Sequence, residues 1–139
     1  MTVARAKNGF AMKALDHLVL TVADIDASVA FYTGVLGMRA EEFRPADGSR
    51  RTALKFGRQK INLHKAGAEF EPKATAVQPG SADLCFLSDK PVDEWLHRLN
   101  EMAVFVEEGP VRRTGAQGPI QSLYIRDPDG NLIEIANRV

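Results

Sequence analysis

The sequence predicts an α+β fold made of two βαβββ modules. Three observations carry this. An apolar strand-like run leads into a helix-like run between Leu15 and Met38, the same order of elements restarts at Ser81, and a stretch from Gly67 to Gly80 with no period lies between them.

Each element has its own reason. "LDHLVLTV", Leu15 to Val22, is dense in leucine and valine and reads as a strand with both faces at least partly covered. In "ADIDASVAFYTGVLGM", Asp24 or Asp26 is suited to cap a helix, and Ile25, Val29, Phe31, Tyr32, Val35 and Leu36 form a broad apolar face. Gly37 is placed to end it. "MRAEEFRP" and "RTALKFGR" read as two strands joined by a turn at "ADGS", and "QKINLHKA" as a fourth. The second half opens with a strand, "SADLCFLS". In "KPVDEWLHRLNEM", Pro91 lies near the first turn of a helix and Val92, Trp95, Leu96 and Leu99 share one face. "VFVEEGPVRRT" and "IQSLYIRD" read as strands, "DPDG" as a tight turn whose backbone Pro and Gly set, and "NLIEIANRV" as the closing strand. The expected organisation is an N-terminal tail over residues 1–14 and one domain over 15–139. Within that domain, module one spans 15–66, the linker 67–80 and module two 81–139.

Strand parity then sorts the polar residues. Leu18, Leu20 and Val22 share the face that packs on a helix, which turns His17 to the open face. Ile61 and Leu63 leave Asn62 and His64 on that open side. Leu84 and Phe86 leave Asp83, with Cys85 beside it, and Ile133 and Ile135 leave Glu134. Four strands, each phased by its own apolar residues, put a potential ligand on the same side.

Composition narrows the function classes. Eighteen basic and eighteen acidic side chains balance, so no net field points to nucleic acid or a membrane surface. The single cysteine, Cys85, forms no intrachain disulfide and suits a reducing, cytoplasmic compartment. No apolar run approaches the ~20 residues that span a bilayer. The start, "MTVARAKNGFAMK", is basic but lacks an apolar core, so a secretory signal is not expected; a loose tail, or a start at Met12, is favoured over a transit peptide.

"LDHLVLTVADIDASVAFYTGVLGM" with "LYIRDPDGNLIEI" resembles the glyoxalase / vicinal oxygen chelate superfamily, and "KINLHKAG" and "GSADLCFL" are similar to its glyoxalase-domain-containing-protein-5 type. The resemblance covers nearly the whole chain from Leu15. It implies two sheets wrapped as a cup around one divalent metal, with ligands on the first and last strand of each module. Carried over by position, these are His17 and His64 in the first module and Asp83 and Glu134 in the second. Asp83 stands where many relatives carry histidine, and His64 where glyoxalase I typically has glutamate or glutamine. The resemblance also implies a homodimer, with the modules paired within one chain or exchanged between two.

Two imidazoles and one or two carboxylates suit Ni, Co, Zn, Mn or Fe(II) with positions open to substrate oxygens. An unpaired carboxylate is costly in an apolar strand, so Glu134 calls for a cation or another partner. The expected activity is that of a metal-dependent lyase or isomerase of glyoxalase type, which stabilises an enediolate, with Glu134 as the catalytic base. Its expected substrate is a small oxygen-chelating molecule, with glutathione as a conceivable co-substrate in a methylglyoxal hemithioacetal. The alternatives are an Fe(II) extradiol-type dioxygenase, a metal-free small-molecule binding protein of the bleomycin-resistance sort, and a thiol transferase of the fosfomycin-resistance sort. His97 is expected to be a solvent-exposed helical residue and Cys85 a small packing residue. Arg112, Arg113 and Arg126 are expected at the surface rather than as an anion clamp, and Tyr124 is a lesser candidate hydrogen-bond donor inside the cup.

Overall fold

Residues 9–139 are described here in a computed structural model. The expected tail over 1–14 falls partly on residues 1–8, which lie outside the described residues. The elements run β1 (His17–Val22), α1 (Ile25–Gly34), β2 (Arg39–Phe43), β3 (Arg51–Phe56), β4 (Gln59–Lys65), β5 (Asp83–Leu87), α2 (Val92–Glu101), β6 (Glu108–Gly115), β7 (Gly118–Arg126) and β8 (Leu132–Arg138). They form two four-stranded sheets, ordered β1-β4-β3-β2 and β5-β8-β7-β6. In each, the first and last strands of the module pair in parallel and the remaining pairs are antiparallel. A parallel pair cannot be closed by a tight turn, and the helix with the strands after it supplies the crossover.

Local chemistry fixes the element ends. The Asp24 carboxylate accepts from the Ala27 N–H at 3.1 Å and caps α1. Gly37, at φ +71°, turns the chain out of the helix while its N–H returns to the Thr33 carbonyl at 3.1 Å. Helix α2 has no cap from Pro91. Its first N–H, on Val92, donates instead to the Asn137 side chain at 2.7 Å, and the Asn137 amide donates to the Ser88 and Lys90 carbonyls, each at 2.8 Å. Strand β6 begins at Glu108, later than the sequence pattern implies, and its register with β7 shifts between Glu108 and Val111. Gly109 sits in that bulge at φ +115°, where a Cβ would lie 2.4 Å from the Ser122 carbonyl oxygen.

The parity reading holds. Leu20, Val22, Ile61 and Leu63 on one sheet, and Leu123, Ile125, Ile133 and Ile135 on the other, are buried in one continuous core with both helices. The helix-bearing faces of the two modules therefore share a single interior. Phe56 meets Phe86 edge to face at 5.2 Å across it. The DPDGN turn fastens the modules together. Asp127 is buried and accepts from the Tyr32 hydroxyl at 2.6 Å, the Asn131 side chain at 2.8 Å, and the Asp129 and Asn131 N–H groups, both at 2.9 Å. Ala23 donates to Asp129 at 3.1 Å, and Arg98 on α2 reaches the Gly34 carbonyl of α1 at 3.0 Å. No helix among the described residues is long and apolar enough to cross a membrane.

Candidate metal centre

Chemistry concentrates on the open face of the second sheet. Glu134 on β8 lies opposite Tyr124 on one side and Cys85 on the other. The Ser122 hydroxyl donates to its carboxylate at 2.5 Å, and the Tyr124 and Cys85 side chains flank it on the same face. Arg113 donates to the Tyr124 oxygen at 3.0 Å and to Glu108 at 3.1 Å, which fixes the tyrosine from behind. Partial burial, reinforced by the Glu134 charge, holds the Tyr124 hydroxyl above its usual range despite Arg113. A recess of about 400 Å³ runs over this group, with Leu87 and Ile120 on its wall. Asp83 lies on the same face, two residues before Cys85 on β5.

Cys85 corrects an expectation. It is exposed on the open face rather than packed inside, because Leu84 and Phe86 take the core side of β5. The shielding its sulfur does have, together with the Glu134 carboxylate, pushes the thiol up to about 11. It therefore stays protonated near neutral pH. His97 is exposed on α2 and meets Glu101 at 2.9 Å, as expected. Arg126 is tied to Glu107 at 3.0 Å, and Arg112 is exposed.

The first sheet holds the imidazoles. His17 is exposed, and its Nδ1 lies 2.8 Å from the Asp16 carboxylate, which orients the ring and leaves Nε2 free. His64 is buried and meets Phe70 of the connecting segment edge-on at 5.3 Å, while its Nδ1 has no hydrogen-bond partner among the described residues. Burial first, then the Arg51 charge, lowers its pKa and favours the neutral ring. The Asn62 side-chain oxygen is likewise buried without a partner.

The strand register shows which β4 residue is the counterpart of Glu134. In the second module, Asp83 begins the first strand and Glu134 pairs with Cys85, two residues on. In the first, His17 begins the strand and the residue pairing with Val19, two residues on, is Asn62. Asn62 is thus the internal equivalent of Glu134, and His64, opposite Thr21, is the equivalent of Ala136. Asn62 was missed as a candidate ligand. Its signal was legible in the flanking apolar pairs, since Ile61–Leu63 matches Ile133–Ile135.

Within one chain these groups form two half-sets. The groups beside Glu134, namely Ser122, Tyr124 and Cys85, all belong to the second module, and those around His64, namely Phe70, Arg51 and Glu69, all precede that module. Among the described residues no three of His, Cys, Asp and Glu come together in a group that could hold a metal ion. The donor chemistry nevertheless suits one. A free imidazole nitrogen and a buried amide oxygen without a partner stand on one sheet, and two carboxylates on the other.

Paired βαβββ modules with imidazole and carboxylate groups on their uncovered faces define the vicinal oxygen chelate class of domain. A sequence profile of the Glyoxalase/Bleomycin resistance protein/Dioxygenase superfamily matches residues 14–135, and the chain belongs to that superfamily. It is 53% identical over 125 residues to "Virulence protein STM3117" of Salmonella typhimurium, covering 90% of this chain and 84% of that protein. The solved structure of the integron cassette protein VCH_CASS1 of V. cholerae matches with TM-score 0.87 and 55% identity, covering 93% of this chain and 98% of the other. A lactoylglutathione lyase structure from Agrobacterium tumefaciens matches with TM-score 0.66 and 29% identity, covering 91% and 95% of the two chains.

Proposed function

We propose that the protein is a divalent-metal-dependent lyase or isomerase of glyoxalase type, acting on a small molecule with neighbouring oxygens. Two copies of the chain each supply half of the ligand set. The observation that carries this reading is Glu134, a carboxylate set in an apolar strand, hydrogen-bonded by a buried serine and facing a recess. In this reading His17 and Asn62 of one copy face Asp83 and Glu134 of the other. His64, two residues further along β4 on the same face, would flank that ligand set. One imidazole with three oxygen donors favours Mn(II) or Fe(II) within the set Ni, Co, Zn, Mn and Fe(II).

A bound divalent ion supplies Lewis acidity to the substrate's neighbouring oxygens. The chain's residues do the rest. Glu134 accepts the proton from one carbon and returns it to the next, while Ser122 and Tyr124 orient the carboxylate. The Cys85 thiol, protonated near neutral pH, forms no covalent bond to the substrate. Val19 and Leu87, exposed apolar residues on the two open faces, exclude water once the faces close on each other. The 29% identity with a lactoylglutathione lyase supports a glutathione adduct as substrate, and the lone free cysteine supports a cytoplasmic setting.

The test is metal content after loading with each of the five ions, followed by oxygen-free conversion of methylglyoxal with glutathione. Binding and turnover are the expected result. An extradiol dioxygenase would instead need oxygen and Fe(II) to open a catechol ring. A second reading, a metal-free binding protein for small molecules, is favoured by the separation of the half-sets within one chain. Absence of any bound ion after loading would replace the first reading with the second.

A further inference from the structure

The segment joining the modules folds back over the open face of the first sheet and encloses a pocket of about 390 Å³, within the range of small-molecule sites. Its floor is Thr21 and His64, directly opposite each other on β1 and β4. Its apolar walls are Val19 from the sheet and Pro72, Ala74 and Val77 from the connecting segment, and Lys73 brings one cation to it. His64 is only 6% exposed, yet its Nδ1 has no hydrogen-bond partner among the described residues. Phe70 fixes the ring edge-on and is in turn covered by the Arg51 guanidinium, 3.9 Å from its centroid. A rigidly held imidazole on the floor of a cavity, making no hydrogen bond among the described residues, is a group suited to a polar atom.

We infer that this pocket binds the carboxylate of a small amphipathic acid, with His64 and Lys73 on the carboxylate and the apolar body against Val19 and Val77. The acid's charge meets Lys73, whose one ion pair among the described residues is a 3.5 Å contact with a largely exposed Glu71, too weak to occupy it. A single cation beside apolar walls matches a monocarboxylate rather than a multiply charged phosphate. The inference rests on the proposed function only in making this acid part of the substrate; the pocket itself needs no metal.

The chain has three histidines, so ring nitrogen resonances of metal-free, ¹⁵N-histidine-labelled protein can be assigned by comparison with His64→Gln. Benzoate is the probe and benzamide its uncharged counterpart. Benzoate is expected to shift the His64 resonances saturably and leave exposed His97 unmoved, with benzamide binding about tenfold more weakly, as one charged hydrogen bond requires. Lys73→Gln, a change on an exposed segment that leaves the core intact, is expected to bring benzoate down to benzamide's level. A His64 signal that stays in place under millimolar benzoate overturns the inference, as does equal binding of benzoate and benzamide or an unchanged benzoate response in Lys73→Gln. Divalent-ion binding by the same unlabelled protein separates the two ideas. Failure to bind any ion while benzoate still moves His64 removes the metal reading alone, and ion binding with an unmoved His64 removes the pocket alone.

Discussion

Asn62 and Glu134 hold the same station in two copies of one module and differ chiefly in charge. If both face one ion, Asn62→Asp is expected to raise divalent-ion affinity at least tenfold. Glu134→Gln keeps the shape and is expected to lower affinity by roughly a hundredfold, the scale of losing a charged donor from a site. Isothermal titration with Mn(II) checks both, and the thermal unfolding midpoint of Glu134→Gln should stay near that of the unsubstituted protein. Cys85 is expected to react with iodoacetamide at pH 8 more slowly than free cysteine, because its thiol is pushed up to about 11. The open-face placement of His17 and Glu134 is legible in the sequence because strand alternation is strict. Alternation puts both Asn62 and His64 on the open face, since it gives the face of a residue and not its depth along the strand. Depth is set by the pairing register, which needs the partner strand.

Among the elements, most boundaries were legible from caps and turns, but the remote contacts that secure them were not. Asn137 satisfies the first N–H of α2 from 45 residues away, a partnership with no local pattern. Asn137→Ala leaves that N–H without its partner and is expected to cost about 1–2 kcal/mol in chemical denaturation. The buried pair of Tyr32 and Asp127 ties helix α1 to the closing turn of the other module. Tyr32→Phe is expected to destabilise by about 1–3 kcal/mol. It also changes the alkaline limb. Burial, then the Asp127 hydrogen bond and charge, raise the Tyr32 hydroxyl far above the ordinary tyrosine value of about 10, so the unfolded chain releases that proton first. The stabilisation is complete below about pH 10 and is lost as pH rises beyond it. Urea midpoints between pH 8 and pH 11 should therefore fall less steeply in Tyr32→Phe.

At the scale of the whole molecule, the half-sets make a prediction about copies. If each site combines His17 of one chain with Glu134 of another, neither His17→Ala nor Glu134→Gln alone binds metal well. Mixing them in equal amounts under subunit exchange should restore about a quarter of the sites, since half of the dimers are mixed and each regains one intact site of two. Metal content after mixing checks this, and a cup closed within one chain would restore none. Sequence alone determined the two modules, their element order and the face on which each polar group stands, because helix and strand periods and capping residues act over a few neighbours. Only the tertiary structure decided that Asn62 is the counterpart of Glu134, that Cys85 is exposed beside it, that the connecting segment roofs His64, and that the candidate ligands divide between two faces. The physical reason is the same in each case. Register, burial and convergence are properties of strands and segments far apart in the chain, fixed by the shared core in which both modules bury their helix-bearing faces.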